Sequence, residues 1–258
     1  MNSKRTAFTL MEMLVVVALL GTLLGISAAG MRVADNMARE TRTRATIRKL
    51  NRFVMEKYAS YQYRRVPGRT PEQRLSNLRQ LQRYEMPDHW DEVHSDYSPR
   101  RVVAAARQSG KNTSEFPSAE LLYQIVMSMP EADSAFTSME VADTDGNGLN
   151  EFVDGWGTPI YFIRWPAGHC DDNHGAISKI QNGVDADPFD PTHVDSSAYA
   201  VFPLIYSCGP DRARGIIMSQ NSSKPTGVQN AGSPGEGGSS DSVKETAMYY
   251  DNITNHNL

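Results

Sequence analysis

An uncharged apolar stretch near the N-terminus constrains this chain more than any other feature. Residues 7–29 read AFTLMEMLVVVALLGTLLGISAA, and no charged side chain occurs from Met13 to Met31. At about 1.5 Å per helical residue, those residues reach across a bilayer core of roughly 30 Å. We therefore expect residues 8–31 to form the membrane-spanning half of a helix.

This stretch has two competing interpretations, a cleaved secretory signal and a retained anchor. A signal would use the basic Lys4 and Arg5 at its start and the small residues 27–29 at its exit. The apolar run is longer than a signal requires, and Glu12 lies inside it, where a carboxylate needs a partner charge. The anchor is favoured, and the alternative is a secreted calcium-binding protein that begins at Gly30 after removal of a conventional signal peptide.

The helical pattern continues beyond the apolar stretch. Apolar residues recur at spacings of three and four, which indicates one face of a helix. They are Ile47, Leu50, Val54, Tyr58 and Tyr61. We expect residues 32–66 to form an amphipathic basic helix that ends at Pro67 and Gly68. Residues 1–65 have a net charge of +8 and the remainder −12. No base-reading motif accompanies the basic stretch, so nucleic acid is not an expected partner.

Residues 67–140 form the next predicted unit, a helical insertion. Thr70 before Pro71 is typical of a helix start, with an N-cap residue and then proline in the first turn. The pair Ser98 and Pro99 repeats this signal, and Ser118 precedes a third apolar helical segment.

The remaining chain predicts a small sheet and a tail. Residues 159–165 and 199–207 are rich in β-branched and aromatic side chains, and residues 214–218 could add a shorter strand. These segments, with residues 141–158, make up the expected head over 141–218. Residues 219–258 begin with a loop rich in Gly, Ser, Asn and Pro and end in a tail. The predicted fold class is α+β, with one long helix packed on a small antiparallel sheet.

A possible calcium-binding loop occupies residues 143–154, which read DTDGNGLNEFVD. Oxygen-bearing residues fall at positions one, three, five, nine and twelve, with glycine at six and a backbone carbonyl available at seven. This is the spacing of an EF-hand-type loop, and the terminal Asp is similar to dockerin loops. The predicted ligands are Asp143, Asp145, Asn147, Leu149, Glu151 and Asp154. The competing interpretation is an acidic turn between secondary elements.

The N-terminus resembles a known leader. Residues 4–12, KRTAFTLME, are similar to the class III leader of type IV pilins and type II secretion pseudopilins. The resemblance implies that residues 1–7 are a leader, which prepilin peptidase removes between Ala7 and Phe8 before the new amine is methylated. It also implies that Glu12 pairs with the amine of a neighbouring subunit. The residue before the cut is usually Gly in this family and is Ala7 here.

A second resemblance lies in the head. Residues 154–159, DGWGTP, resemble the Asp-x-Trp-Gly-x-Pro signature of the major pseudopilin of type II secretion systems, and residues 206–211, YSCGPD, resemble its later Ser-x-Gly-x-Asp turn. The resemblance implies a non-enzymatic, pilin-like subunit that spans the bacterial inner membrane once, with its head in the periplasm. Its expected partners are prepilin peptidase, other copies of itself and other pilin-like subunits, with no small-molecule substrate. A type IV pilin for adhesion or DNA uptake is the alternative within the family.

The chain contains two cysteines and lacks recognisable catalytic motifs. Cys170 and Cys208 are a candidate disulfide in an oxidising compartment, although the sequence does not establish their contact. No nucleophile motif, phosphate-binding loop or dinucleotide fingerprint occurs, so we expect no enzymatic activity.

Overall fold

A long N-terminal helix dominates the computed structural model of the protein. The structure describes residues 10–108, 115–169, 178–218, 224–225, 231–232 and 251–258. Helix α1 spans Leu10–Ser60 without interruption and continues as one turn of 3-10 helix at Tyr61–Tyr63. The predicted long helix, half apolar and half amphipathic, is therefore confirmed.

The two halves of α1 differ in their surroundings. Residues 10–38 are exposed along their whole length. The second half buries one face against the head, including all five apolar residues of the predicted stripe. Because that face is covered by the rest of the same chain, α1 is part of the core of the head as well as a projecting helix.

The insertion between α1 and the sheets is helical, as predicted. It contains α2 (Pro71–Glu85), α3 (Arg100–Gln108), α4 (Pro117–Val126) and the short α5 (Ala132–Ala135). A single 3-10 turn, Trp90–Glu92, lies between α2 and α3. Thr70 caps α2 through its hydroxyl oxygen, which accepts a 3.3 Å hydrogen bond from the N–H of Gln73.

Two small antiparallel sheets follow. Strand β1 (Val141–Ala142) pairs with β2 (Glu151–Phe152), and the eight residues between them are the first part of the predicted metal loop, residues 143–154. The second sheet has the order β3 (Ile160–Ile163), β4 (Leu204–Ser207), β5 (Ile253–Thr254). The antiparallel sheet is confirmed, but its third strand comes from the C-terminal tail. Residues 214–218 contribute only an isolated bridge at Ile216.

Helix α4 lies at the centre of the head. Every residue from Ser118 to Val126 is buried, and the helix packs against α1, α3, β2 and β3. Aromatic rings fill the space beside it, with the ring centres of Phe136 and Phe152 4.5 Å apart and those of Tyr123 and Phe152 5.2 Å apart. The insertion is therefore part of the head's core.

Candidate functional site

The exposed half of α1 is the first functional feature. Among the described residues, one helix is long and apolar enough to cross a bilayer, and its most apolar window has a mean hydropathy of 2.3 with no part buried. Glu12 lies on this exposed segment. Ala7 and Phe8 lie outside the described residues, so the cleavage site remains a prediction.

The helix and the head meet closely where the exposed half ends. The N–H of Gly155 donates to Oγ1 of Thr43 at 2.9 Å, and Nη1 of Arg39 lies 3.4 Å from the carbonyl oxygen of Gly155. A Cβ atom placed on Gly155 would lie 2.4 Å from the carbonyl oxygen of Arg39. Only glycine allows the two backbones to approach this closely.

Asp154 organises the turn that presents Gly155. Its carboxylate accepts from the N–H groups of Trp156 and Thr158 at 2.8 and 3.0 Å, and from the hydroxyls of Thr158 and Ser207 at 2.5 and 2.6 Å. Gly157 completes the turn with a φ of +81°. Both oxygens of Asp154 are thus occupied by protein donors. The structure places this residue in the turn after β2 and against β4, apart from the acidic cluster described below.

The first predicted ligand, Asp143, shapes the loop between β1 and β2. Its Oδ1 accepts from the N–H groups of Gly146 and Asn147 at 2.8 and 3.1 Å, and its Oδ2 accepts from Gly148 at 2.9 Å. Leu149 places its side chain in the core, and its N–H donates to Oδ1 of Asn147 at 2.8 Å. The loop is therefore folded around the Asp143 carboxylate.

Three carboxylates converge beside this loop. One oxygen from each of Glu120, Asp145 and Glu151 lies within 4.8 Å of the other two. The amide nitrogen of Asn147 donates to Oε1 of Glu120 at 2.6 Å and to Oδ2 of Asp145 at 2.9 Å. The structure thus brings together three of the predicted ligands, Asp145, Asn147 and Glu151, and adds Glu120 from α4.

Glu151 has an unusual electrostatic environment. Its side chain is fully buried, and Oε2 accepts from both the N–H and the hydroxyl of Thr144 at 2.8 Å. Burial raises the pKa of Glu151 to about 7 against the lowering effect of these hydrogen bonds, and the charges of Glu120 and Asp145 raise it further.

Sequence reasoning did not identify Glu120 as a member of this cluster. The sequence does contain a signal, because Glu120 is the one charged residue in the helical segment PSAELLYQIV. Glu120 lies in the first turn of this mostly apolar helix, and a carboxylate buried with such a helix needs a polar partner. Its partners in the cluster, Asp145 and Glu151, cannot be predicted from the sequence, because their proximity depends on how α4 packs on β2.

Only one cysteine of the predicted disulfide lies among the described residues. Cys208 is buried and free, and burial raises the pKa of its thiol to about 12, which keeps it protonated. Cys170 lies outside the described residues, so the bridge remains a prediction. Most of the loop predicted at the start of residues 219–258 also lies outside them.

Comparison with known proteins identifies the N-terminus. The family model described as the prokaryotic N-terminal methylation motif matches residues 2–28. This motif is the prepilin-cleavage signature of type IV pilins and pseudopilins, and it ends within the exposed half of α1. Neither the curated proteins nor the solved structures include a match to the chain.

Proposed function

We propose that this type IV pilin-like subunit is a pseudopilin of a type II secretion or related filament system, anchored in the bacterial inner membrane with its head in the periplasm. The methylation motif at residues 2–28 is the observation on which the proposal rests, since it runs into a single exposed apolar helix that continues into the core of the head. The turn at residues 154–159 supports the choice of pseudopilin over an adhesion or DNA-uptake pilin, because it matches the major pseudopilin signature.

The exposed half of α1 suggests how such a subunit assembles. An apolar helix with no cover from its own head is stable in lipid before assembly, and against other helices afterwards. Gly21 and Gly25 leave open space on its surface, where a neighbouring helix can approach closely.

Glu12 would then set the axial register. A carboxylate in a low-dielectric helix bundle needs a counter-charge, and the amine that cleavage creates at Phe8 of a neighbouring subunit supplies one. A subunit that enters at the wrong height would leave both charges without a partner. The pairing therefore selects one position along the filament.

Mass spectrometry of the mature N-terminus tests this function directly. The expected product begins at N-methylated Phe8 when prepilin peptidase is present and retains residues 1–7 when the peptidase is deleted. A mature chain that begins at Gly30 would instead establish a secreted protein with a conventional signal peptide.

A deletion strain separates the two kinds of filament. Loss of enzyme export with normal adhesion and DNA uptake is the expected result for a pseudopilin. Normal export with loss of pili would assign the chain to a type IV pilus.

A further inference from the structure

The acidic cluster of Glu120, Asp145 and Glu151 has the features of a site built for a cation. Its members come from two different elements, since Glu120 lies on α4 whereas Asp145 and Glu151 flank the turn between β1 and β2. One oxygen from each lies within 4.8 Å of the others. Like charges held this closely repel one another unless a cation or a proton lies between them.

A buried oxygen without a donor is the second, independent observation. Oε2 of Glu151 receives both hydrogen bonds from Thr144, whereas Oε1 is buried and has no hydrogen-bond partner among the described residues. A buried acceptor without a donor destabilises the folded state, and it does so more strongly when it is charged. Because Oε1 belongs to a side chain that is fully buried within this cluster, a bound cation would supply the missing partner.

The charge of the cluster is not balanced by the described part of the chain. Glu120 is fully buried, and its two oxygens accept from neutral groups, Nε1 of Trp90 at 3.0 Å and Nδ2 of Asn147 at 2.6 Å. Across the described ranges, no lysine or arginine forms an ion pair with Glu120, Asp145 or Glu151.

A second acidic group in the head differs from this cluster, because its carboxylates are paired with arginines. Asp88, His89 and Glu92 also place ligand atoms within 4.8 Å of one another. There, however, the guanidinium of Arg164 lies 2.6 Å from Glu92 and 3.4 Å from Asp88, and Arg83 lies 3.0 Å from Glu92. That group already contains its cations, so we assign no metal to it.

We propose that Glu120, Asp145 and Glu151 form a calcium site that joins helix α4 to the loop between β1 and β2. All three ligands are carboxylates, which suit a hard cation, and the absence of a nitrogen or sulfur ligand from the set disfavours zinc. Since calcium would bind only the folded arrangement, it would stabilise the head by mass action.

The site differs from the twelve-residue loop that the sequence suggests. It needs Glu120, which lies outside that loop, and it does not need Asp154, whose oxygens are held in the turn after β2. The ion would therefore link the helical insertion to the first sheet.

Calcium titration of the full-length protein in detergent micelles, after treatment with a chelator, tests the proposal. Head unfolding can be followed by tryptophan fluorescence, since Trp90, Trp156 and Trp165 all lie in the head. We expect one saturable site and a rise of several degrees in Tm. Terbium provides a direct readout, because Trp90 donates to Glu120 and would sensitise the luminescence of a lanthanide bound there.

Two isosteric variants distinguish a metal ligand from a structural residue. In E151Q, the new amide NH₂ can take the place of Oε1 and donate to the neighbouring acids, so Tm without calcium should rise while the calcium-induced shift is lost. E120Q should weaken calcium binding at least about tenfold, because affinity depends on the number of ligand charges. The matched control is E131Q, an exposed acid away from the cluster, which should behave as the wild type.

The opposite results would overturn the proposal. One is an absence of any calcium-dependent heat, Tm shift or terbium luminescence in the wild-type protein. Another is a calcium response that E120Q leaves unchanged while D154N abolishes it, which would assign the ion to the twelve-residue loop. A third is an E151Q protein that is less stable without calcium yet retains the full calcium response, which would make Glu151 a structural residue.

Discussion

Nη1 of Arg164 lies 2.6 Å from Oε2 of Glu92, and neither side chain reaches solvent. Arg164 follows β3 directly and Glu92 ends the 3-10 turn of the insertion, so the ion pair joins the sheet to the insertion across 72 residues of chain. The backbone carbonyl of Met86 accepts a further bond from the same guanidinium at 3.0 Å. Burial lowers the pKa of Arg164, but the charges of Asp88 and Glu92 outweigh that effect and raise it.

Replacing Arg164 by methionine should destabilise the head severely. The substitution leaves Asp88 and Glu92 buried without their main counter-charge, and breaking one side of a buried pair typically costs about 3–5 kcal/mol. Denaturant unfolding followed by tryptophan fluorescence would measure the loss. R52M is the matched control, since Arg52 is exposed and lies 4.0 Å from Glu131, and it should cost less than about 1 kcal/mol. Equal losses for the two variants would contradict the assigned role of Arg164.

A methyl group at Gly155 should loosen the head from the long helix. G155A places a Cβ atom 2.4 Å from the carbonyl oxygen of Arg39, and relief of such crowding typically costs about 1–3 kcal/mol. G183A is the control, because a Cβ atom at Gly183 would meet no atom within 4 Å. Hydrogen exchange around Thr43 should increase in G155A alone, and unchanged protection there would contradict the close approach.

Acidification should destabilise the head through two buried histidines. The rings of His169 and His256 lie 4.9 Å apart. Burial lowers the pKa of His169 to about 4 and, together with the charge of His169, that of His256 to about 3. The unfolded chain therefore binds protons that the folded chain excludes. The contribution of these two histidines to stability is constant above about pH 6.5 and falls as the pH drops below it, by up to about 1.4 kcal/mol per pH unit for each histidine.

Neutral variants can isolate this effect from the titration of carboxylates. The glutamine of H256Q keeps a donor for the carbonyl oxygen of Pro203, which lies 3.1 Å from Nε2 of His256. The variant should reduce the slope of the free energy of unfolding against pH, between pH 6.5 and 4, by the contribution of about one proton. H89Q is a control of opposite sign, because the hydrogen bond to Asp88 raises the pKa of His89 and so stabilises the fold at low pH. An unchanged slope in H256Q would refute the prediction.

Replacing Glu12 by alanine should separate membrane insertion from assembly. The variant keeps the apolar helix, so membrane insertion and cleavage should be normal. Incorporation into filaments should be lost, because the variant lacks the carboxylate that is proposed to pair with the Phe8 amine of a neighbouring subunit. E56A, on the same helix but outside the apolar half, should assemble as the wild type. Filaments that contain the E12A subunit at normal levels would contradict the proposed pairing.

The sequence predicts the parts of this fold that depend on local patterns. The stripe from Ile47 to Tyr61 and the Thr70 cap are set by neighbours within a few residues, and both are confirmed. The third strand at Ile253–Thr254 was not predicted, because it depends on pairing with β4 across nearly fifty residues. A two-residue strand has too little periodicity to reveal itself.

The candidate site also combines residues that local spacing predicts with residues that only the packing of the head brings together. The spacing of Asp145, Asn147 and Glu151 indicates a shared loop, but spacing alone cannot show that Asp154 turns toward Ser207. Nor can it show that Glu120, on a helix and 27 residues before Asn147, reaches the same cluster. Those positions follow from how α4, β2 and β4 pack, which is a property of the whole head.

The contact between Gly155 and Arg39 also fixes the length of α1 that projects beyond the head. Residues 10–38 project beyond the head as an exposed helix of about 43 Å, close to the full thickness of a bilayer with its headgroups. With that helix inserted, the head would rest against the lipid surface with almost no spacer, and Arg39, Arg42 and Arg44 would lie near the phosphates. If the subunit leaves the membrane as proposed, its exposed helix and its head would move together, because α1 runs without interruption from Leu10 to Ser60.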